Sequence, residues 1–352
     1  MQLRVAYDMT LLQSNRGGSG AYARGLLWAL QGRDDVEMRV IGASKRGAAA
    51  TVSWILRDAR NNLRIERPQV LHSPGFLTPV SPRVPYVLTI HDLSLARMPG
   101  GQALEWRLYY QLVFPRLVPG AAAVITPTES TKQDVMRSFG IPAARIAVTP
   151  YGIDPQFFEG VDAPARDPSV PKILFLGPPI RRKNLEAVLN VLNGAAPNTS
   201  LGRAELLITA GAPDQFPYYR DKISALGLRH RVRWLGMVPF AELPALYSSV
   251  DLLAYPSFYE GFGFPPLESM AAGTPVVASN ASCLPEVLGD AALLVDPHDE
   301  PALAEAMRSA LDNLELRHSL SIRGKARARL FTWQHCADLT VAVYRGVAGL
   351  KS

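Results

Sequence analysis

Short apolar runs alternate with amphipathic stretches along the whole chain. In the first half, the runs predict strands at 3–8, 38–43, 70–73, 86–92 and 123–128. Between them, apolar residues at helical spacing predict helices at 21–32, 105–120 and 131–140. Because strands and helices alternate, we expect a parallel sheet that is covered by helices on both faces.

The alternation restarts after a polar, proline-rich link at 152–171. Strands are predicted at 172–177, 205–211, 232–236, 251–257, 275–279 and 292–297, again with helices between them. With 352 residues the chain is too long for one typical core. The pattern therefore predicts an α/β protein with two Rossmann-like domains, 1–154 and 171–332, that face a central cleft. A terminal helix at 333–352 either ends the second domain or crosses back to join the first.

Composition narrows the class of protein. No run of about 18 apolar residues exists, so no membrane-spanning helix is expected, and the N-terminus reads as a first strand rather than a signal peptide. Two cysteines, Cys283 and Cys336, are too few for a disulfide framework and have no metal-ligand neighbours at suitable spacing. They indicate a reducing compartment, and we expect a cytoplasmic protein.

The net charge of +6 is concentrated in the first half. Through Asp154 there are 18 Lys and Arg against 11 Asp and Glu, and the remainder has 19 against 20. This excess of positive charge could bind an anionic ligand, an acidic membrane surface or nucleic acid. It could equally belong to an ordinary solvated face. The aromatic helix at 105–120, which contains Trp106, either lies on a membrane surface or packs on the first sheet, and we favour packing.

The stretch FYEGFGFPPLES, residues 258–269, carries the clearest chemistry. Gly261 and Gly263 allow a ligand to approach the main chain, and the helix that follows offers N–H groups to a phosphate. Glu260 and Glu268 would repel a phosphate, but a carboxylate accepts hydrogen bonds from a vicinal diol. Two sugars with a diphosphate between them fit this pattern, which describes a nucleotide-sugar.

Glu260 and Glu268 also match the E-x7-E motif of the retaining family-4 glycosyltransferases, which have the two-domain GT-B fold. The resemblance covers essentially the whole chain. Further stretches that resemble the family are GGSGAYARGLLWAL (17–30), TIHDLS (89–94), RRKNLEAVL (181–189) and CLPEVLGDAALLVDP (283–297). Taken alone, each has an ordinary explanation, such as a glycine turn, a strand-end histidine or a solvated basic turn. The wording of TIHDLS and CLPEVLGDAALLVDP is most similar to the mannosyltransferase branch.

The resemblance implies the site residues. His91 would contact the donor sugar, Lys183 and Arg182 would bind the diphosphate, and Glu260 would orient the sugar. Many relatives have the clamp arginine where this chain has Pro178, so the choice between Arg181 and Arg182 stays open. The resemblance assigns donor binding to the following residues: Gly18, Ser19, Gly261, Phe262, Gly263, Phe264, Leu267 and Glu268, the last on the ribose.

The expected function is that of a retaining hexosyltransferase. We expect GDP-mannose as the donor, and UDP-glucose and UDP-N-acetylglucosamine are the next candidates. No DxD motif appears, so we expect no metal and no other cofactor. The acceptor would be a saccharide or a lipid-linked molecule. The protein itself would make a peripheral contact with the inner face of the membrane, and we expect no nucleic acid partner. A dehydrogenase is disfavoured because GGSGAYARG lacks the third glycine of G-x-G-x-x-G. A sugar-nucleotide epimerase and a non-catalytic nucleotide-sugar binding protein remain alternatives.

Overall fold

The computed structural model describes residues 2–350 except 11, 13, 14, 16, 44–47, 81, 95–107, 161–168 and 210. The chain divides into two compact units. The first comprises residues 1–152 and 331–352, and the second comprises residues 153–330. The division falls within the predicted link, near its start, and the terminal helix belongs to the first unit.

The first unit contains a sheet of six parallel strands in the order β2-β1-β3-β4-β5-β6. The strands are β1 Leu3–Asp8, β2 Val36–Ile41, β3 Val70–Ser73, β4 Tyr86–Thr89, β5 Ala123–Thr126 and β6 Ile146–Val148. The central strands β3 and β4 are buried throughout, as expected where helices cover both faces. The sequence did not predict β6, a three-residue strand at the edge of the sheet.

The helices of the first unit pack against this sheet. Their segments, including two π-helical ones, are Gly18–Gln31, Ala48–Ser53, Trp54–Asp58 (π), Ala59–Glu66, Tyr109–Val113 (π), Phe114–Leu117, Glu129–Phe139 and Trp333–Val347. The three segments from Ala48 to Glu66 follow one another without a break and form a helix that the sequence did not predict. Residues 105–107 of the predicted helix 105–120, with Trp106, lie outside the described residues. In the rest, Phe114 and Val118 are buried in the core, as we favoured.

The C-terminal helix Trp333–Val347 is tied into the first unit by close packing and by buried hydrogen bonds. A Cβ atom on Gly25 would lie 2.2 Å from the Trp333 ring, so only glycine lets the two helices approach this closely. The Tyr344 hydroxyl lies 2.6 Å from His72 Nδ1 on β3, and His72 Nε2 lies 2.8 Å from the Thr89 hydroxyl on β4. The chain therefore leaves the first unit at Gly152 and returns to complete it after Leu330.

The second unit contains another sheet of six parallel strands, in the order β12-β11-β10-β7-β8-β9. The strands are β7 Lys172–Phe175, β8 Glu205–Thr209, β9 Val232–Gly236, β10 Leu252–Tyr255, β11 Val276–Ser279 and β12 Leu293–Val295. Counted from β7 this is the strand order 3-2-1-4-5-6 of the Rossmann fold, in which the order reverses between β7 and β10.

The α-helices of the second unit are Leu185–Gly194, Ser200–Arg203, Pro217–Ala225, Leu243–Ser248, Phe264–Ala271, Leu284–Leu288, Glu300–Asp312 and Leu314–Ala328. A core of apolar side chains from the sheet and from helices Leu185–Gly194 and Glu300–Asp312 fills one face. The prediction of two Rossmann-like α/β units is confirmed. None of the described helices combines the length and the apolar character needed to cross a membrane.

Candidate active site

The candidate site of the second unit lies where the strand order reverses. A 3₁₀ turn, Arg181–Lys183, follows β7, and the loop from Pro256 to Gly263 follows β10. Open α/β sheets bind ligands at the carboxyl ends of their strands, at such a switch point. Nine of the predicted site residues, those between 182 and 268, lie here, whereas Gly18, Ser19 and His91 belong to the first unit.

Glu260 lies between the two predicted clamp cations. Its Oε2 atom is 2.7 Å from an Arg182 guanidinium nitrogen, and its Oε1 atom is 2.7 Å from Lys183 Nζ. Glu260 and Lys183 are both buried. Burial raises the pKa of Glu260, but the charges of Lys183 and Arg182 outweigh it and lower the pKa to about 2. The carboxylate is therefore ionised at neutral pH and holds both cations in place.

Arg182, and not Arg181, is the arginine of this cluster. Its guanidinium also donates to the Tyr259 carbonyl oxygen at 2.7 Å, while the Phe258 N–H donates to the Arg182 carbonyl at 2.9 Å. Arg181 occupies the same turn, but it is exposed. These bonds join the loops that follow β7 and β10 and place Arg182, rather than Arg181, beside Lys183. A role of Arg182 in binding the diphosphate remains a prediction.

Tyr255 lies beneath the cluster at the end of β10 and is fully buried. Lys183 Nζ donates to its hydroxyl at 2.5 Å and lies 4.4 Å from the centre of its ring. Burial raises the pKa of the Tyr255 hydroxyl, and the nearby charge of Glu260 raises it further. One hydroxyl group thus contacts a clamp cation and lies close to the acid between the cations.

The glycine-rich loop leads into helix Phe264–Ala271 as predicted. Gly263 has φ of +97°, and a Cβ atom there would lie 3.0 Å from the Leu284 side chain, so glycine is needed at this position. Phe262 and Leu267 have buried side chains, which leaves their backbones for any contact with a donor. Pro265 is the second residue of the helix.

Glu268 is a buried residue of this helix. It follows the glycine loop in the sequence, whereas Glu260 precedes the loop. It accepts a hydrogen bond from the Tyr247 hydroxyl at 2.8 Å. Burial raises the pKa of Glu268, the Tyr247 hydrogen bond opposes the rise, and the nearby charge of Asp154 adds to it, so that the pKa is about 7. The two glutamates of the motif therefore differ sharply: Glu260 is held as an anion, and Glu268 titrates near neutral pH.

In the first unit, His91 follows β4 and both of its ring nitrogens have protein partners. Nε2 lies 2.9 Å from the Pro74 carbonyl oxygen, and Nδ1 lies 2.7 Å from the Tyr151 hydroxyl. A carbonyl only accepts, so Nε2 carries the hydrogen and Tyr151 donates to Nδ1. Burial lowers the pKa of His91 to about 4, which makes the ring neutral. A contact between His91 and a donor sugar remains a prediction.

Gly18 and Ser19 form the first turn of helix Gly18–Gln31. The Asn15 side chain shapes this turn, since it accepts from the Gly17 N–H at 2.7 Å and donates to the Ser19 hydroxyl at 2.9 Å. One turn further on, the Tyr22 ring contacts the His91 ring edge-on at 5.2 Å. The structure thus brings the beginning of this helix and His91 to the same side of the first unit.

Sequence reasoning missed the tyrosines that hold these groups. Tyr247 and Tyr255 occur in a helix pattern and a strand pattern where an aromatic residue is typical of the core, and Tyr151 lies in the loop after β6; all three rings are buried. Only the folded structure directs their hydroxyl groups to His91, Glu268 and Lys183. Within the described part of the chain, no three or more His, Cys, Asp or Glu side chains are grouped to hold a metal ion, and independence from metal remains a prediction.

Comparison with known proteins agrees with the fold and the motifs. The family model "Glycosyl transferases group 1" matches residues 161–327, and the model "Glycosyltransferase Family 4" matches residues 33–157. The fold resembles that of sucrose-phosphate synthase from Thermosynechococcus elongatus, with a TM-score of 0.80, 19% sequence identity, and coverage of 99% of this chain and 100% of that one. The GT-B fold class is thereby confirmed.

Two curated relatives extend the comparison to sequence. O-antigen chain mannosyltransferase B of Escherichia coli is 30% identical over 304 residues, which cover 83% of this chain and 76% of that protein. Alpha-maltose-1-phosphate synthase of Mycolicibacterium smegmatis is 29% identical over 384 residues, or 94% and 96% of the two chains. With its paired glutamates, its cationic turn and these relatives, the chain belongs to the family-4 glycosyltransferases.

Proposed function

We propose that this glycosyltransferase moves a hexose from a nucleoside-diphosphate sugar, with retention of the anomeric configuration, to a saccharide or lipid-linked acceptor. The observation that carries the proposal is the cluster of half-buried Arg182 with buried Lys183 and Glu260 at the switch point of the second sheet. Two cations surround one carboxylate there, so the cluster has a positive charge left for a diphosphate.

The chemical step needs stabilisation of the leaving group. When the bond between the sugar C1 atom and the diphosphate oxygen breaks, negative charge grows on the diphosphate. Lys183 and Arg182 would receive that charge, together with backbone N–H groups at the start of helix Phe264–Ala271. Because Glu260 already fixes both cations, they need little reorganisation during the reaction. The cations take the place of a divalent metal, and we expect EDTA to leave donor cleavage unchanged.

The two glutamates would hold the sugars on either side of the diphosphate. Glu260 would accept hydrogen bonds from hydroxyl groups of the transferred hexose, in addition to holding the clamp. Glu268 would accept hydrogen bonds from the ribose. His91, Gly18 and Ser19, all in the first unit, keep their predicted role in contacting the donor.

GDP-mannose is the donor we propose first, with UDP-glucose and UDP-N-acetylglucosamine as competitors. The similarity to a mannosyltransferase supports mannose. A thermal-shift screen tests this choice: GDP-mannose should raise the melting temperature above the shift that GDP gives, and Glu260→Ala should remove that difference while GDP still binds. If a UDP-sugar stabilises the protein and GDP-mannose does not, the proposal of GDP-mannose as the donor is wrong.

Product analysis separates transfer from the alternatives. NMR of the product formed from the stabilising donor gives the anomeric configuration, and an inverted product would contradict retention. An epimerase would convert the nucleotide-sugar without an acceptor, and a binding protein would leave it unchanged. A transferase releases the nucleoside diphosphate and couples the sugar to the acceptor.

The first unit also has a surface that supports a contact with an anionic membrane at the cytoplasmic face. Helix 48–66 and the helix from Tyr109 to Leu117 pack into the same core cluster, through Trp54 and Phe114 among others. Five apolar side chains on their outer faces are exposed: Val52, Leu56, Ile65, Leu112 and Val113. Four exposed arginines accompany them: Arg57, Arg60, Arg64 and Arg116. This apolar-basic surface combines the two features of a peripheral membrane contact.

A further inference from the structure

Each glutamate of the E-x7-E motif is linked to a buried tyrosine. Tyr255 is hydrogen-bonded to Lys183, which pairs with Glu260, and Tyr247 is hydrogen-bonded to Glu268. Resting on the function proposed above, we propose that both tyrosines are positioning residues with separate effects: Tyr255 acts on cleavage of the donor, and Tyr247 acts on affinity for the nucleotide.

Tyr255 is placed to orient the group that meets developing charge. Its hydroxyl oxygen accepts a hydrogen bond from Lys183 Nζ at 2.5 Å. The ring gives Lys183 a second contact, with Nζ 4.4 Å from the ring centre. Without the hydroxyl, Lys183 and Glu260 would still pair, but the ammonium group would lose the contact that fixes its direction.

Tyr247 makes hydrogen bonds through both its side-chain hydroxyl and its backbone carbonyl oxygen. Its hydroxyl donates to Glu268 Oε2 at 2.8 Å, and its carbonyl oxygen accepts from the Thr274 hydroxyl at 2.7 Å. The residue is fully buried in helix Leu243–Ser248, with its ring 5.9 Å from that of Phe157. This bond leaves the other carboxylate oxygen, Oε1, to meet a ribose diol.

The two effects should separate because the two glutamates serve different stages of the reaction. Charge on the diphosphate grows only as the bond to the sugar breaks, so an interaction that orients Lys183 is stronger in the transition state. The ribose is bound equally in the ground state and in the transition state. An interaction that orients Glu268 therefore contributes uniform binding, which appears in the dissociation constant and not in kcat.

The test uses Tyr255→Phe and Tyr247→Phe in the full chain, since both keep the buried ring. Donor cleavage is followed as release of GDP from GDP-mannose, or of the corresponding nucleotide from the sugar donor that wild type cleaves, and calorimetry with a non-cleavable phosphonate analogue of that donor gives the ground-state Kd. We expect Tyr255→Phe to lower kcat about tenfold with Kd within twofold of wild type. Tyr247→Phe should raise Kd about five- to tenfold with kcat within twofold.

Two controls separate positioning from general damage. Tyr219→Phe changes a buried tyrosine of helix Pro217–Ala225, outside the site, and should alter neither constant. In a Lys183→Ala background, Tyr255→Phe should have no further effect on kcat, because the group that it orients is gone. Melting temperatures report folding of each variant independently of these constants.

The results can overturn the inference in two ways. If Tyr255→Phe weakens nucleotide binding as much as it slows cleavage, or if both variants give the same pattern, the separation is wrong. If wild type binds nucleoside diphosphate and cleaves its sugar donor while neither variant differs from it, the tyrosines have no positioning role. If wild type does neither with any nucleotide-sugar, the proposed function fails first and this inference fails with it.

Discussion

Glu260 and Glu268 are both glutamates, but the charges around their carboxyl groups differ. Both are buried, but Glu260 lies between two cations, whereas Glu268 has a tyrosine hydroxyl and the charge of Asp154 nearby. An ion pair favours the charged carboxylate, and burial without a cation favours the neutral acid. The same motif therefore supplies a permanent anion and a group that titrates near pH 7.

Replacing Glu268 should stabilise the unliganded protein at alkaline pH. Its pKa of about 7 in the folded state exceeds the usual 4.5, so ionisation costs stability as the pH rises between these values. We expect Glu268→Gln to raise the free energy of unfolding by about 2 kcal/mol at pH 8 and to change it little at pH 5. Urea unfolding at both values checks this.

Glu260→Gln is the matched comparison. The pKa of Glu260 is lowered, so its contribution to stability is present above the usual value and is lost as the pH falls from 4.5 towards 2. The amide leaves Arg182 and Lys183 without their counter-charge, and the variant should be less stable than wild type at pH 8. A Glu268→Gln variant that is also destabilised at pH 8 would contradict the assignment of Glu268 as a costly buried anion.

Lys183 should affect the chemistry far more than its exposed neighbour. A hydrogen bond to a charged group contributes about 1.5–3 kcal/mol, so Lys183→Ala should slow donor cleavage roughly 10–100-fold. Arg181→Ala changes an exposed arginine of the same turn and should stay within twofold of wild type. The rate of nucleotide release measures both. Equal losses in the two variants would mean that positive charge alone matters.

Among single residues, the sequence predicted those site residues that lie in a motif of fixed spacing. It did not predict residues that contact the site from a distant part of the sequence. Glu260, Glu268 and Lys183 follow from motifs in which neighbours in sequence share one loop or turn. Tyr255 and Tyr247 could not be found in this way, because 72 residues separate Lys183 from Tyr255 and 21 separate Tyr247 from Glu268. The direction of a hydroxyl group depends on packing that a local pattern does not contain.

Among the elements, the contact between helices Gly18–Gln31 and Trp333–Val347 is the most tightly constrained. A methyl group on Gly25 would overlap the Trp333 ring at 2.2 Å, so Gly25→Ala should destabilise the first unit by about 1–3 kcal/mol. Gly32 ends the same helix, and a Cβ atom there would have its nearest neighbour at 3.7 Å. Gly32→Ala should change stability by no more than about 0.5 kcal/mol.

Urea unfolding of the two glycine variants measures this difference. Equal stability of Gly25→Ala and wild type would show that the C-terminal helix is displaced easily, and that its packing contributes little to the first unit.

The elements that the sequence missed have physical reasons for being missed. Helix 48–66 exposes Val52 and Leu56 while it buries Trp54 and Ile55, and its π-helical turn shifts the register of the apolar face. No single stripe at a spacing of 3.6 residues results, so the periodicity is weak. Strand β6 has only three residues at a sheet edge, too short for a recognisable run. The buried parallel strands were predicted because continuous apolar runs are typical of them.

Across the whole molecule, charge follows the division into units. The first unit contains 20 Lys and Arg against 11 Asp and Glu, while the second contains 17 against 20. The sequence showed this asymmetry without showing where the charge lies. The structure adds that four exposed arginines accompany the exposed apolar side chains of the apolar-basic surface.

Vesicle binding tests whether this surface meets a membrane. Wild type should bind vesicles that contain anionic lipid, less strongly as salt rises, and should bind neutral vesicles weakly. Leu56→Glu should weaken binding to anionic vesicles because it places a negative charge on the surface. Leu314→Glu, on an exposed leucine of the second unit, is the control and should bind like wild type. Equal binding to both kinds of vesicle, or to neither, would exclude the anionic contact.

The return of the C-terminal helix to the first unit sets the order in which the protein can be completed during synthesis. The ribosome makes residues 331–352 only after all 178 residues of the second unit, 153–330. Until then, His72 lacks the Tyr344 hydroxyl, and helix Gly18–Gln31 lacks the Trp333 ring that packs on Gly25. The second unit is contiguous in the chain and can fold as it emerges. We therefore expect the first unit to be the last of the two to reach its native state.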